Sequence, residues 1–428
     1  MATGIKPFRA YIYNQEKIND LSRVVSPPYD IISPEKQDYL HKISPHNFTH
    51  VDFRKELEGV DRYEAAAAVF SRWLLEKVMV RDEKPAIYFY TQQYTIKGER
   101  KTRFGFLALL KLGEADSPVF GHEHTRAAPK EDRLKLIRSV RANLSPIFVI
   151  YQDKKKVMEQ QLKPAVAGKK SFIDIVDDEK INHRVWKINE PAVLEKAVAR
   201  MKDENIFIAD GHHRYEVSCA YRDELKSKSS SWTGEEVANY ILAYFTNINA
   251  QGLTVLPIHR IVTFARTPDW EDIVKKLKEA FSVEEIKGKA DLLFLLQKAG
   301  QREHALGMYS QGRCLLLRLK NIKILDRFIG ARSAEYRQLD VAILNTLVFE
   351  NALGFGREND KPAIEYTAVA EEAVAAADAD PACCAFLLNP TKVDQIVKVA
   401  LNGEKMPPKS TYFYPKVLSG LVVNKHES

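Results

Sequence analysis

The segment Ile206-Phe207-Ile208-Ala209-Asp210-Gly211-His212-His213-Arg214-Tyr215-Glu216 constrains this chain more than any other. Its apolar start reads as a buried strand, Asp-Gly as a turn, and Val217, Ala220, Tyr221 and Leu225 recur at helical spacing. Asp210 can cap that helix by accepting a backbone N–H. Gly211 permits a tight turn and a close approach of ligand to backbone. The outward N–H groups and the positive end of the helix dipole then form a site suited to phosphate. Two histidines and an arginine occupy the first turn, where each cation costs up to about 1 kcal/mol at an exposed site. An anionic ligand would resolve that conflict, with Arg214 gripping it as a bidentate fork. The alternative is that neutral histidines bond locally while Arg214 pairs with Asp210 or Glu216.

A chain of 428 residues exceeds one ordinary core and implies roughly two or three domains. With 45% apolar and 28% charged residues it has the make-up of a folded globular protein, which excludes disordered and collagen-like classes. The net charge of +7 favours anionic ligands but is too small to establish nucleic-acid binding. No apolar run approaches the roughly 18 residues that span a bilayer, and the first residues contain no apolar signal core. Cys219, Cys314, Cys383 and Cys384 show no CxxC spacing. They read as reduced, mostly buried thiols in a cytoplasmic protein.

The pattern predicts a helix over 62–80, strands over 86–96 and 102–112 joined by a hairpin at Lys97-Gly98-Glu99-Arg100, and a helix opened by Pro129 and running to about residue 142. Strands follow at 146–151, 171–176, 184–188, 206–209, 240–248 and 257–262, with a helix at 192–202. Later helices are expected at 270–281, 339–347, 369–377 and 391–401, among strands at 314–319 and 383–388. This mixture is neither strictly alternating nor segregated, so the expected class is α+β. A composition change at Ala265–Trp270 divides the chain into 1–265 and 266–428.

Gly121-His122-Glu123-His124-Thr125 precedes Pro129-Lys130-Glu131-Asp132-Arg133. His122 and His124 share a face if extended, but no third ligand follows at a diagnostic spacing and HExxH is absent. Contact with phosphates or Mg²⁺ suits the segment better, Glu123 near the ion and Lys130 or Arg133 on charge. A solvated loop and a capped amphipathic helix fit each residue equally well. Asp30, after the rigid Ser26-Pro27-Pro28-Tyr29 turn, is placed to orient a hydroxyl or take its proton, or to cap the turn before Pro34. Lys409, Ser410 and Thr411 could close over a phosphate; a tail strand with Tyr412 and Tyr414 on one face is the plainer reading.

The Asp210 segment resembles the phosphate loop of the ParB/sulfiredoxin superfamily. Sulfiredoxin has Gly-Cys-His-Arg-Tyr-Glu where this chain has Gly211 to Glu216, and archaeal free-serine kinases have an Asp-Gly-Asn-His-Arg loop matched by Asp210, Gly211, His213 and Arg214. His212 replaces sulfiredoxin's catalytic cysteine, so sulfinic-acid reduction is not expected. Together with Ser26–Asp30, Arg141–Phe148, Pro257–Arg260, Phe386–Thr391 and Met406–Lys416, the segment also resembles the prokaryotic domain of unknown function 1015 over nearly the whole chain. The resemblance implies a ParB/sulfiredoxin-like nucleotide-binding part before residue 265 and a mixed α/β part after it. It also implies a kinase-like transfer from ATP or ADP, with Mg²⁺, to a small hydroxyl compound, free serine first. Gly211, His212, His213, Arg214, His122, Thr125, Lys130 and Arg133 would then hold the nucleotide. Asp210 and Glu123 would serve the metal or acceptor, and Asp30 would be the base. The other reading is a ParB-like nucleotide-gated protein that binds DNA or a partner, although no helix-turn-helix or basic stripe supports nucleic acid. Whether subunits assemble is open.

Overall fold

The computed structural model describes residues 4–114, 117–355 and 363–426. They form two compact units, one of residues 1–121, 125–253 and 415–428, the other of residues 122–124 and 254–414. The composition change expected as a divide lies inside the second unit. Composition cannot register that the chain's last residues return to the first.

The first unit is built on a nine-stranded sheet: β1 (Ile5–Lys6), β2 (Ile87–Ile96), β3 (Glu99–Lys111), β4 (Val119–Gly121), β5 (Ile147–Tyr151), β6 (Ile173–Val176), β7 (Asn182–Ile188), β8 (Ile206–Asp210) and β9 (Tyr240–Asn247). The order is β4-β8-β5-β9-β3-β2-β7-β6, with β1 beside β3. β4 with β8 and β5 with β9 run parallel, and the other pairs are antiparallel. The β2–β3 hairpin turns at Lys97 and Gly98, both at positive φ (49° and 78°), the backbone that matches the twist of its strands. Ile147 to Tyr151 are buried without alternation, as are Tyr240 to Asn247, because both faces of the sheet are covered. One face packs Phe106, Val149, Ile208 and Phe245 with Leu162 and Ala197 from helices Val157–Val166 and Pro191–Arg200.

Helix starts follow the local chemistry. Asp61 accepts the N–H groups of Tyr63 and Glu64 at the start of Arg62–Leu75. The helix expected to open at Pro129 begins earlier, at Ala127, and ends at Val140, with Arg141 left-handed behind it.

The second unit contains an antiparallel six-stranded sheet: β10 (His259–Thr263), β11 (Phe281–Ile286), β12 (Ala305–Ser310), β13 (Arg313–Leu319), β14 (Ala363–Thr367) and β15 (Cys383–Leu387), in the order β11-β13-β12-β15-β10-β14. The helix expected over 339–347 is α-helical only at Asp340–Ile343 and continues as a π-helix, Leu344–Ala352. Tyr412–Tyr414 forms a short strand against Thr254–Leu256, with Phe413 buried between the two tyrosines. The fold is α+β. All four cysteines are free thiols, three of them buried. Among the described residues no helix is long and apolar enough to cross a membrane.

Candidate functional site

β8 meets β5 in regular register until Ile208, then shifts before Asp210, which pairs with Phe148. Such an irregularity re-aims the side chain beyond it. Gly211 follows at φ +91°, and a Cβ there would sit 2.9 Å from Ile147 Cγ2 and 3.1 Å from the Arg214 guanidinium carbon. Glycine is thus required twice, by backbone and by space. The helix His212–Lys228 starts immediately, 17 residues long, with no side chain capping it. The expected Asp210 cap is therefore absent: beyond the register shift, Lys416 Nζ donates to Asp210 Oδ2 at 2.6 Å. Arg214 Nη2 lies 3.6 Å from Asp210 Oδ1, and its Nη1 donates to the Pro146 carbonyl.

Burial alone would raise the Asp210 carboxyl, but Lys416, Arg214 and His212 outweigh it and hold the group well below the usual carboxylate range. Burial likewise works against the Arg214 charge, and Asp210, Asp30, Tyr29 and Asp52 more than restore it. The structure thus brings Asp30, on the N-terminal Pro-Pro turn, into the field of Arg214. The exposed Asp30 makes no hydrogen bond among the described residues. It is not the cap before Pro34 either, since Ser33 Oγ fills that role by accepting the Lys36 N–H. Tyr29 is pushed up to about 12, by burial first and then by Asp30, against Arg133 and Arg214.

Arg133 is buried in this cluster rather than displayed to solvent. Its Nη1 donates to the Asp52 carbonyl at 2.7 Å, and its guanidinium lies 4.1 Å from the centre of the Tyr29 ring. Asp52 Oδ2 accepts from Ser145 Oγ, which stands 2.7 Å from Ser419 Oγ. Thr125 Oγ1 and Lys130 Nζ both donate to Glu216, at 2.6 and 3.1 Å. The Arg126 N–H donates to His213 Nε2 at 2.9 Å, so that nitrogen is unprotonated. Beside Arg214 is a cavity of ≈ 50 Å³, lined by Asp52, Arg133 and Ser145 together with the apolar Ile137, Val217 and Ile241.

His122 and Glu123 are built into the second unit. His122 Nε2 lies 3.1 Å from Thr411 Oγ1, and the Lys409 N–H points at Glu123 Oε1 at 3.5 Å. Among the described residues no group of three or more His, Cys, Asp or Glu side chains could hold a metal ion, and Asp210 is already engaged by two cations. Sequence reading missed Lys416, Asp52, Ser145 and Ser419. Ser145 and Lys416 lie in strings noted for their resemblance, whereas Asp52 carries no local signal at all.

Residues 5–342 match the family described as "Protein of unknown function (DUF1015)". The chain belongs to this family. A comparison with the curated proteins gives no match. Among solved structures, a mutant free serine kinase in complex with ADP is 12% identical, with 69% of this chain and 84% of that one covered and a TM-score of 0.35. A conserved hypothetical protein from Pyrococcus furiosus is 12% identical, with 72% and 92% covered and a TM-score of 0.35. SbnI from Staphylococcus aureus, truncated at its C-terminus, is 12% identical, with 74% and 86% covered and a TM-score of 0.38. Likeness at this level carries no argument about the chemistry of this DUF1015 member, which rests on its own residues.

Proposed function

We propose that the first unit transfers a phosphoryl group from ATP or ADP to a small hydroxyl compound, with L-serine the first acceptor to try. The observation behind this reading is a pairing. An uncapped helix N-terminus at Gly211, suited to phosphate oxygens, adjoins Arg214, and Asp30 acts electrostatically on that arginine with no hydrogen bond of its own among the described residues. Phosphoryl transfer asks for this division of labour, because positioning and charge stabilisation supply most of the catalysis. Asp30 takes the acceptor's hydroxyl proton, the oxygen forms a bond to the terminal phosphorus, and the bond to the leaving nucleotide oxygen breaks. Backbone N–H groups of the first helical turn, with Arg214, hold the phosphates; Lys416 and Arg214 hold Asp210 and keep the turn in shape. Lys130 and Thr125 position Glu216 on the same helix, and Arg133 holds Asp52 against Tyr29. The cavity of ≈ 50 Å³ has room for a few waters or a group of that size. It suits the headgroup of a small acceptor and leaves the nucleotide on the open side of the turn. Among the described residues the donor set offers no protein cage for a metal, so Mg²⁺ enters only as the companion of the nucleotide, and Glu123 is given no part.

The test is thermal unfolding of the full chain against ATP, ADP, CTP and GTP with Mg²⁺, for the native protein and Arg214→Lys. A ligand at 100 times its Kd adds about 2.7 kcal/mol, an easily read shift. Stabilisation by an adenine nucleotide that falls sharply in Arg214→Lys, with serine phosphorylation slowed by roughly 10²–10⁴-fold in Asp30→Asn, is the expected result. No shift with any nucleotide would overturn the reading. A CTP preference with salt-dependent DNA retardation would replace it by a nucleotide-gated clamp.

A further inference from the structure

The second unit contains a larger cleft, of ≈ 390 Å³, that the proposed transfer does not use. Its volume is within the range of small-molecule sites. The turn before β12, the start of Asp340–Ile343 and the loop from β15 into the helix Val393–Leu401 enclose it. Asn389, from the Phe386–Thr391 string noted in the sequence, lies in its wall and donates to the Leu296 carbonyl at 3.0 Å. A Cβ on Gly300 would come within 2.2 Å of that amide, so the wall is fitted to a bare backbone there.

The charges around the cleft do not cancel locally. Arg302, Lys392 and Lys398 line it, and none has an ion-pair partner among the described residues. Of the three lining carboxylates, Glu303 is paired with Arg318, Asp340 meets only the His304 ring, and Asp394 has no ion-pair partner among the described residues. Three unpaired cations against Asp340 and Asp394 leave an excess of one positive charge. His304 Nδ1 lies 2.8 Å from Asp340 Oδ1, and that contact fixes the ring so that Nε2 is the nitrogen left for a ligand.

We propose that this cleft binds a small phosphate monoester, with the unpaired Arg302 and Lys392 on the phosphate oxygens and His304 Nε2 on the ester side. None of the cleft's lining residues belongs to the Asp210 turn. It would give the chain a second small-molecule ligand, as substrate analogue or effector.

The experiment is calorimetric titration of the full chain with glycerol 3-phosphate and inorganic phosphate, glycerol serving as the neutral control. It is run on Arg214→Ala, in which the first unit's anion site is disabled. Binding of the phosphate ester, with glycerol silent, is expected on that background. Adding Arg302→Ala with Lys392→Ala should weaken it by on the order of a hundredfold, about tenfold for each charged contact removed. His304→Gln, which leaves both cations in place, should weaken the ester by several-fold and inorganic phosphate less. Absence of binding on the Arg214→Ala background, or binding indifferent to the Arg302 and Lys392 changes, would overturn the proposal. A circular-dichroism spectrum matching the native protein shows that each variant is folded.

Discussion

Lys416→Met isolates the contact on which the Asp210 turn depends. The Lys416 and Asp210 side chains are 13% and 15% exposed, and the hydrogen bond between them is 2.6 Å long. Removing one partner from a buried charged pair leaves the other desolvated, which costs about 3–5 kcal/mol when nothing else compensates. Arg214 remains 3.6 Å from the same carboxylate and compensates in part, so the loss is expected below that range, about 2–3 kcal/mol. In a unit of this size that is a fall in Tm of roughly 4–12 °C. The pH dependence gives a second reading. The Asp210 carboxyl lies well below its ordinary value of 3.8 in the folded chain, so its stabilisation is complete above that value and is lost as pH falls toward the folded one. Each pH unit below 3.8 removes about 1.4 kcal/mol of the advantage. The gap between native protein and Lys416→Met should therefore narrow by roughly 1 kcal/mol between pH 7 and pH 3. Thermal unfolding at both pH values is the assay. An unchanged Tm at pH 7, or an equal gap at the two pH values, would refute the reasoning.

Other outcomes follow from the same geometry. Gly211→Ala should destabilise by about 1–2 kcal/mol through the left-handed backbone alone, more if Ile147 cannot yield, and should abolish nucleotide-dependent stabilisation in the thermal assay. Asp30→Asn should lower kcat by roughly 10²–10⁴-fold with nucleotide affinity unchanged, measured by single-turnover transfer and equilibrium binding. Ser145→Ala leaves Asp52 and Ser419 each short of a hydrogen bond and should cost about 1–2 kcal/mol in thermal unfolding. His426 stacks on Tyr221, and burial lowers it to about 4. Its contribution is whole above 6.5 and declines as pH falls toward 4, by up to about 3 kcal/mol. His426→Phe should flatten the stability profile across that window.

Strand, turn and helix at residues 206–228 were legible because each signal is local: an apolar run, Asp-Gly, and a 3.6-residue spacing. The Asp210 cap was misread because its carboxylate is claimed by a residue 206 positions later, and no window along the chain holds both. Asp30 and Arg214 were each singled out, but only the fold brings the Pro-Pro turn to the helix start. Asp52 and Arg133 pair through backbone and side chain together, which leaves no spacing to find. At Leu344–Ala352 the apolar pattern was visible, yet spacing alone does not separate an α-helix from the wider π form adopted there.

The return of the last residues to the first unit sets an order of events during synthesis. Asp210 leaves the ribosome 206 residues before Lys416, and at about 5–20 residues per second that interval is roughly 10–40 s. Throughout it the carboxylate lacks its lysine, so the turn waits with one of its two cations while residues 254–414 of the second unit are made. Chains interrupted anywhere in that interval carry every residue of the Gly211 loop but hold Asp210 through Arg214 alone. Lys416 thus acts as a latch on a turn made 206 residues before it.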